Sequence, residues 1–220
     1  MKITLIRHGE TEGNVKRLYY GASDLPILPE SEQKLRDAAA KGAYPSFPRY
    51  YTSGMLRAEQ TFRAIYGDTP HGVLRDMREI DFGRFEMRPY EELKNDPEYI
   101  EWITGDFEKN VCPGGESGEI VTERAYRALM GVVNEGEDAL IITHGGVIGG
   151  VLSKLLPARK GVTASPPSPA ADTLWNLRKV SPSALLNSMR VENNDHRDRK
   201  THIEAVRKKR CGIGIPLRKR

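Results

Sequence analysis

Apolar residues along residues 1–156 alternate between short continuous runs and helical spacing. The β-branched and apolar runs at 2–6 and 139–143 predict buried strands, and 49–53, with two tyrosines and a threonine, predicts another. Helical spacing or helix-forming composition predicts helices over 30–41, 55–66, 90–102, 118–133 and 147–156. This alternation indicates an α/β fold, a three-layer sandwich with a mostly parallel central sheet and helices on both faces.

Composition limits the class of protein. With 220 residues, 38% hydrophobic and 29% charged, the chain has the composition of a soluble globular protein, and no apolar run approaches the roughly 20 residues of a membrane span. The amino-terminal run lacks the length and cleavage site of a secretory signal, so we expect a cytoplasmic protein. Cys112 and Cys211 have no His or Cys neighbours at ligand spacing, so neither a disulfide framework nor a metal site is predicted.

Charge is distributed unevenly. Residues 1–156 carry a net −6 (19 Lys/Arg against 25 Asp/Glu), whereas residues 157–220 carry a net +10 (15 against 5), which together give the overall +4. A basic terminal segment is typical of a nucleic-acid-binding arm. We nevertheless consider nucleic acid an unlikely partner, because the candidate chemistry lies in the acidic body.

Two histidines follow two of the predicted strands. His8 comes directly after the first strand, and His144, followed by Gly145 and Gly146, comes directly after the strand at 139–143. Ligand sites in open α/β sheets form where loops leave the carboxyl ends of strands, so we expect both imidazoles at one rim. Backbone N–H groups at Gly145, before the next helix, could face an anion there.

Arginines near these strand ends favour phosphoryl chemistry. A phosphoryl group in transfer spreads negative charge over three oxygens, which requires fixed positive charge and hydrogen-bond donors. Arg7 and Arg57 are placed to supply that charge, and neutral imidazole is a competent nucleophile near pH 7 without a metal. Glu79 is the best candidate to protonate the leaving group, although Asp81 and Glu86 lie close in sequence.

At these residues the chain resembles the histidine phosphatase superfamily, also called the phosphoglycerate-mutase-like family. The first motif of that family, Arg-His-Gly, stands at 7–9, and its phosphate-binding asparagine falls on Asn14. Its second arginine falls on Arg57, its general acid on Glu79 and its second histidine, in His-Gly-Gly, on His144. The resemblance extends over roughly residues 1–156.

The resemblance implies specific roles. His8 would become phosphorylated, Glu79 would move the proton, and Arg7, Asn14, Arg57 and His144 would hold the phosphate. Further substrate-binding residues are predicted at Gly9, Tyr20, Gly21 and Gly145. No cofactor and no metal are expected. The chain departs from the family at Met87, where a glycine is usual, and at 29–33, which places local substrate contacts in question.

The chain divides into a histidine phosphatase domain at 1–160 and a basic, low-complexity tail at 161–220 that we expect to be disordered. The last strand usual in the family is absent as written. A shifted reading of the codons from about residue 160–165 permits a sequence like that strand, and Trp175–Asn176 would then force a glutamate. We therefore hypothesise that the tail is out-of-frame translation.

Three functions follow from these observations. The leading one is a metal-independent phosphatase acting on a small phosphoester, similar to an α-ribazole phosphatase or a sugar phosphatase. The alternative is a cofactor-dependent phosphoglycerate mutase, which shares the phosphohistidine. The interval from Glu79 to Pro113 is short, whereas mutases of the family carry a longer insertion there. A non-enzymatic nucleic-acid module using the basic tail is the third.

Overall fold

The computed structural model describes residues 1–106, residues 108–155 and the backbone of residues 175–178. The strands are β1 (Lys2–Arg7), β2 (Leu18–Tyr19), β3 (Arg49–Thr52), β4 (Gly72–Val73), β5 (Arg88–Pro89), β6 (Ala139–Thr143) and β7 (Trp175–Arg178). The helices are α1 (Glu12–Val15), α2 (Pro29–Ala40), α3 (Leu56–Tyr66), α4 (Tyr90–Leu93), α5 (Pro97–Ile103), α6 (Gly118–Asn134) and α7 (Gly145–Leu155). None of these helices is both long and apolar enough to cross a membrane.

A five-stranded sheet forms the centre of the molecule, with strand order β4-β3-β6-β1-β7. The first four strands in that order are parallel, and β7 runs antiparallel to β1. The register between β1 and β6 runs from Ile3 opposite Ala139 to Arg7 opposite Thr143. The two strands therefore end together, which places the residues that follow them side by side.

Alternate side chains of the sheet pack against helices on its two faces. Ile3 and Leu5 of β1 belong to the same apolar cluster as α6 and α7, whereas Ile6 packs with Ala58 and Phe62 of α3. A strand buried on both sides has continuous apolar sequence, as β1 and β6 do. The predicted three-layer α/β sandwich is confirmed.

A smaller unit stands beside the sheet. It consists of the two-stranded antiparallel sheet of β2 and β5 together with α4 and α5. Its core is aromatic, with Tyr19 at the centre: the Tyr19 hydroxyl lies 2.6 Å from the Tyr99 hydroxyl, and the Tyr19 ring meets the edges of Phe82 and Trp102. The short interval after Glu79 therefore folds as part of a packed unit.

The helix predicted over 90–102 is two helices in the structure. Asp96 caps α5 by accepting a hydrogen bond from the Glu98 N–H at 3.1 Å, and Pro97 is the first residue of α5. Proline lacks an N–H and its ring blocks continuation of a preceding helix, but it fits a first helical turn. Helix α4 therefore ends at Leu93, and a separate helix, α5, begins at Pro97.

One short strand, β7, lies within the segment that we expected to be a tail without the family's last strand. The backbone of β7 pairs with β1 from Lys2 opposite Arg178 to Leu5 opposite Trp175. The outer edge of β1 otherwise presents a row of N–H and C=O groups that a passing segment can pair with, whatever its side chains. The remainder of the predicted tail at 161–220, and the frameshift hypothesised at 160–165, lie outside the described residues.

Leu129, fully buried between α6 and the sheet, tests how the core is built. We expect Leu129→Ala to lower the free energy of unfolding by about 2–5 kcal/mol, because a buried leucine leaves both lost apolar contact and a cavity. Chemical denaturation measures this change. Ile120→Ala, on the same helix but 47% exposed, should change stability by less than about 0.5 kcal/mol. Equal effects of the two substitutions would contradict the packing described.

Candidate active site

The ends of three neighbouring parallel strands bring the candidate side chains together. His8 follows β1, and its N–H donates to the Thr143 carbonyl at 2.9 Å; His144 follows β6. Ser53 follows β3, and its N–H donates to the Ile142 carbonyl at 3.0 Å. The ring centroids of His8 and His144 lie 5.1 Å apart. The structure thus places the two imidazoles at one rim.

The hydrogen bonding of His8 defines which ring nitrogen is available. Nδ1 lies 2.7 Å from the Gly9 carbonyl oxygen, and since a carbonyl only accepts, Nδ1 carries the proton. Burial holds the pKa of His8 well below its usual value, with further lowering by the charges of Arg7 and Arg57 and opposition from the Gly9 hydrogen bond. At neutral pH the ring is therefore uncharged, with a lone pair on Nε2.

His144 is completely buried and is held by two side chains. The Arg57 Nε–H donates to its Nδ1 at 3.3 Å, so Nε2 carries the proton and donates to Ser53 Oγ at 2.8 Å. Burial lowers the pKa of His144 well below its usual value, and the neighbouring His8, Arg57 and Arg7 lower it further. Both histidines are therefore uncharged at neutral pH.

Arg57, which is fully buried, crosses from α3 to the loop that follows β2. Its Nη2 donates to the Gly21 carbonyl at 2.8 Å and its Nη1 to the Ser23 carbonyl at 3.0 Å. The guanidinium lies 5.1 Å from the centre of the Tyr20 ring and 3.6 Å from Asp24. Burial lowers the pKa of Arg57, but a guanidinium remains charged in proteins. The site therefore contains a fixed cation.

Arg7 is the second cation. Its Nε is buried and has no hydrogen-bond partner among the described residues. A methyl group on Gly145, the first residue of α7, would lie 3.4 Å from that Nε, so Arg7 lies directly against the amino end of the helix. A buried donor without an acceptor is unfavourable, and helix amino ends attract anions. Both features suit a phosphate group.

Glu79 contacts the amino end of α7, the helix that follows β6. Its Oε2 accepts a hydrogen bond from the Gly146 N–H at 3.2 Å and its Oε1 from the Ile80 N–H at 3.1 Å. A side chain on Gly146 would begin only 2.6 Å from Oε1, so glycine is needed for this approach. The structure thus places Glu79 against a residue that follows His144 by two positions.

The neighbouring carboxylates are used elsewhere. Asp81 accepts from the Gly83 N–H at 2.7 Å. Glu86 accepts from four backbone N–H groups at 2.9–3.1 Å, those of Gly21, Ala22, Ser23 and Phe82. Of the three carboxylates considered from sequence, Glu79 is the one that contacts the amino end of α7, which begins directly after His144. In the part of the chain that the structure describes, no group of His, Cys, Asp and Glu side chains could hold a metal ion.

Asn14 and Tyr20 belong to the same hydrogen-bonded chain. The Asn14 Oδ1 accepts from both the N–H and the hydroxyl of Thr11, at 2.9 and 3.0 Å, which closes a capping box on α1. The Thr11 hydroxyl also lies 2.7 Å from the Tyr20 hydroxyl, and the Tyr20 ring faces Arg57. Asn14 is therefore oriented with its amide oxygen occupied and its NH₂ group left to donate.

Gly9 and Gly21 allow neighbouring segments of the site to approach closely because they have no side chain. The Gly9 N–H donates to Thr61 Oγ1 at 2.8 Å, and a methyl group there would lie 2.7 Å from Ser31 Oγ. At Gly21 a methyl group would lie 1.6 Å from the Ile80 carbonyl oxygen. The loop that binds Arg57 can pack against the Glu79 segment only because Gly21 has no side chain.

Sequence reasoning missed several residues that orient the site. Ser53 fixes the His144 ring, Thr61 fixes Gly9, and Glu86 holds the loop of Gly21. Ser53 could have been found, since it ends the strand before Arg57. Thr61 and Glu86 could not, because they bind backbone groups that lie 52 and 65 residues away along the chain and have no sequence signature.

Comparison with known proteins agrees with this geometry. The family model described as "Histidine phosphatase superfamily (branch 1)" matches residues 3–166. The adenosylcobalamin/α-ribazole phosphatase of Salmonella typhi is 30% identical over 184 residues, covering 81% of this chain and 85% of that protein.

Solved structures agree as well. The α-ribazole phosphatase of Shigella flexneri superposes with a TM-score of 0.65 at 26% identity, covering 74% of this chain and 82% of that one. A phosphoglycerate mutase from Thermus thermophilus gives a TM-score of 0.62 at 36% identity, covering 77% of this chain and 90% of that one. This chain therefore belongs to branch 1 of the histidine phosphatase superfamily, and its enzymatic class is that of a phosphatase.

Proposed function

We propose that the protein hydrolyses a small-molecule phosphoester without a metal, through a phosphohistidine formed on His8. The observation that carries this proposal is the neutral, hydrogen-bonded His8 ring with its Nε2 lone pair, close to the charges of the buried Arg57 and the partly buried Arg7. A nucleophile that is already deprotonated needs no base or metal to activate it.

The phosphate would be held by groups that surround His8. Arg7 and Arg57 supply two positive charges, and Asn14 supplies its NH₂ group. His144, whose ring nitrogens are engaged by Arg57 and Ser53, orients the Arg57 guanidinium, and the N–H groups at the amino end of α7, beginning with Gly145, add further donors. Such fixed donors stabilise charge that develops on the equatorial oxygens during transfer.

Two displacements complete the reaction. In the first, His8 Nε2 bonds to phosphorus, the bond from phosphorus to the ester oxygen breaks, and protonated Glu79 gives its proton to the departing oxygen. In the second, Glu79 takes a proton from water as that water bonds to phosphorus, and the bond to Nε2 breaks. Inorganic phosphate leaves with the oxygen of that water, and His8 and Glu79 return to their starting states.

Hydrolysis fits the chain better than mutase activity. Within the described part of the interval from Glu79 to Pro113, the regular elements are a 3₁₀ turn at Gly83–Phe85, β5, α4 and α5. The 3₁₀ turn, α4 and α5 each contribute residues to the aromatic cluster of Tyr19. The relatives named α-ribazole phosphatase suggest a sugar phosphate or a nucleotide-like phosphoester as the substrate class. We further propose that the protein acts in the cytoplasm on small molecules and does not depend on nucleic acid.

The nucleophile is tested with His8→Ala on a panel of phosphoesters. We expect the wild-type protein to release inorganic phosphate in the presence of EDTA and without 2,3-bisphosphoglycerate, and His8→Ala to lose at least about 10³-fold in kcat/KM because no group replaces Nε2. His71→Ala, an exposed histidine paired with Glu59, is the matched control and should keep full activity. Activity in His8→Ala, or its loss with EDTA, contradicts the proposal; a strict bisphosphoglycerate requirement would indicate a mutase.

The protonation state of the two histidines can be measured directly in the substrate-free protein. Because burial lowers both pKa values, a ring that is about half protonated near pH 6.5 in an unfolded chain should remain neutral at that pH when folded, and should protonate only in more acidic solution. Histidine-ring NMR titration measures the midpoints, with His8→Asn and His144→Asn to assign the signals. A His8 midpoint at or above its ordinary value would rule out the neutral nucleophile.

The proton donor is tested with substrates that differ in leaving group. We expect Glu79→Gln to reduce kcat/KM for an alkyl phosphate by about 10²–10⁴-fold and for p-nitrophenyl phosphate far less, because a nitrophenolate departs without a proton. Glu119→Gln, an exposed residue of α6, serves as the control. An equal loss for both substrates would show that Glu79 is not the acid.

A further inference from the structure

Arg124 is a buried arginine on α6, outside the phosphate site. Its side chain is 6% exposed, and its neighbours on that face of the helix, such as Val121 and Ala125, are apolar core residues. Its Nε, Nη1 and Nη2 atoms together make five hydrogen bonds of 2.7–3.0 Å. An arginine saturated in this way, and buried in a core, defines the position of whatever it binds.

Three of those bonds go to the backbone of the segment that carries Glu79. Nη1 donates to the carbonyls of Asp76 and Arg78, both at 2.7 Å, and Nη2 donates to the carbonyl of Glu79 itself at 3.0 Å. The carbonyl between the first two, that of Met77, accepts from the Thr143 hydroxyl at 2.6 Å. Four consecutive carbonyls are thus held from outside the segment.

Glu116 completes the arrangement from the other side. Its carboxylate accepts from Arg124 Nε at 2.9 Å and Nη2 at 2.7 Å, and its Oε2 also accepts the Asp81 N–H at 3.1 Å. Arg78 donates to its Oε1 at 3.0 Å. The pair of Arg124 and Glu116 therefore forms hydrogen bonds to the backbone on both sides of Glu79, from the carbonyl of residue 76 to the N–H of residue 81.

The segment at residues 76–81 depends on these hydrogen bonds because it has little regular structure of its own. It contains only a single 3₁₀ turn, Arg75–Met77, and then runs irregularly past Glu79. No strand ladder determines where the Glu79 side chain starts. A catalytic group displaced by about 1 Å can lose about 10²-fold in rate, so the bonds that locate the segment also locate the acid.

We propose that Arg124, paired with Glu116, is a positioning residue that sets Glu79 at the distance and angle needed to protonate the leaving group. The inference depends on the proposed function, in which Glu79 is the proton donor. Arg124 itself does not touch the reacting atoms; it acts through the backbone of residues 76–81.

The test compares leaving groups, which separates a role in proton transfer from a role in folding. The ratio of kcat/KM for an alkyl phosphate to kcat/KM for p-nitrophenyl phosphate is independent of how much of a preparation is folded. We expect Arg124→Met to lower this ratio about 10–100-fold, in the same direction as Glu79→Gln. Glu116→Gln, which keeps the shape of the side chain and removes its charge, should lower the ratio as well.

Two controls make the outcome decisive. Arg127→Met removes an exposed arginine from the same helix and should leave the ratio unchanged. Combining Arg124→Met with Glu79→Gln should lower the ratio no further than Glu79→Gln alone, because Arg124 acts only through Glu79.

The outcomes distinguish failure of the positioning role of Arg124 from failure of the proposed role of Glu79 as proton donor. If Glu79→Gln lowers the ratio but Arg124→Met and Glu116→Gln do not, the positioning role is wrong and the proposed acid stands. If Glu79→Gln itself leaves the ratio unchanged, the proposed acid is wrong. Loss of both substrates in equal proportion in Arg124→Met would show that Arg124 merely supports the fold.

Discussion

The site depends on a buried guanidinium that is bound mainly by neutral partners. Arg57 donates to two carbonyl oxygens and one neutral imidazole, and the only carboxylate within 4 Å among the described residues, Asp24, lies at 3.6 Å and is 43% exposed. Carbonyl oxygens satisfy the donors of a buried arginine without cancelling its charge. That uncancelled charge helps burial to keep His8 neutral. In the proposed mechanism the same charge attracts the phosphate, so the nucleophile and the binding site would share an electrostatic origin.

Two irregular segments lie near this guanidinium, and in each an ionic side chain bonds to several backbone groups. Glu86 gathers N–H groups of the loop whose carbonyls bind Arg57, and Arg124 gathers carbonyls of the segment that carries Glu79. Loop backbone that is partly buried must find hydrogen-bond partners, and a charged side chain satisfies several at once. These hydrogen bonds hold the parts of the site that lie outside strands and helices.

The sequence predicted the fold well because its strongest signals are local. Continuous apolar strands followed directly by His8 and His144 define the central pair of strands and the edge at which both rings emerge. Sequence could not reveal Arg124, whose apolar neighbours make α6 look like an ordinary core helix, or the pairing of β7, which uses backbone groups.

Met87 is a second position whose structural role could not be derived from the sequence. The sequence showed that Met87 departs from the family's usual glycine, but it did not show why the family uses glycine there. The structure gives Met87 a φ of 61°, in the left-handed region that glycine adopts without steric cost and other residues adopt at a cost of about 1–2 kcal/mol. A motif glycine at that position is thus explained by backbone conformation.

The register of β7 separates the chemistry from the sheet's outer strand. Its pairing covers Lys2 to Leu5 of β1 and stops short of Arg7, so the added strand meets β1 away from the edge where His8 and His144 lie. Backbone pairing of this kind places few demands on side-chain identity. The pairing that completes the border of the sheet is thus separate from the strand ends that carry His8 and His144.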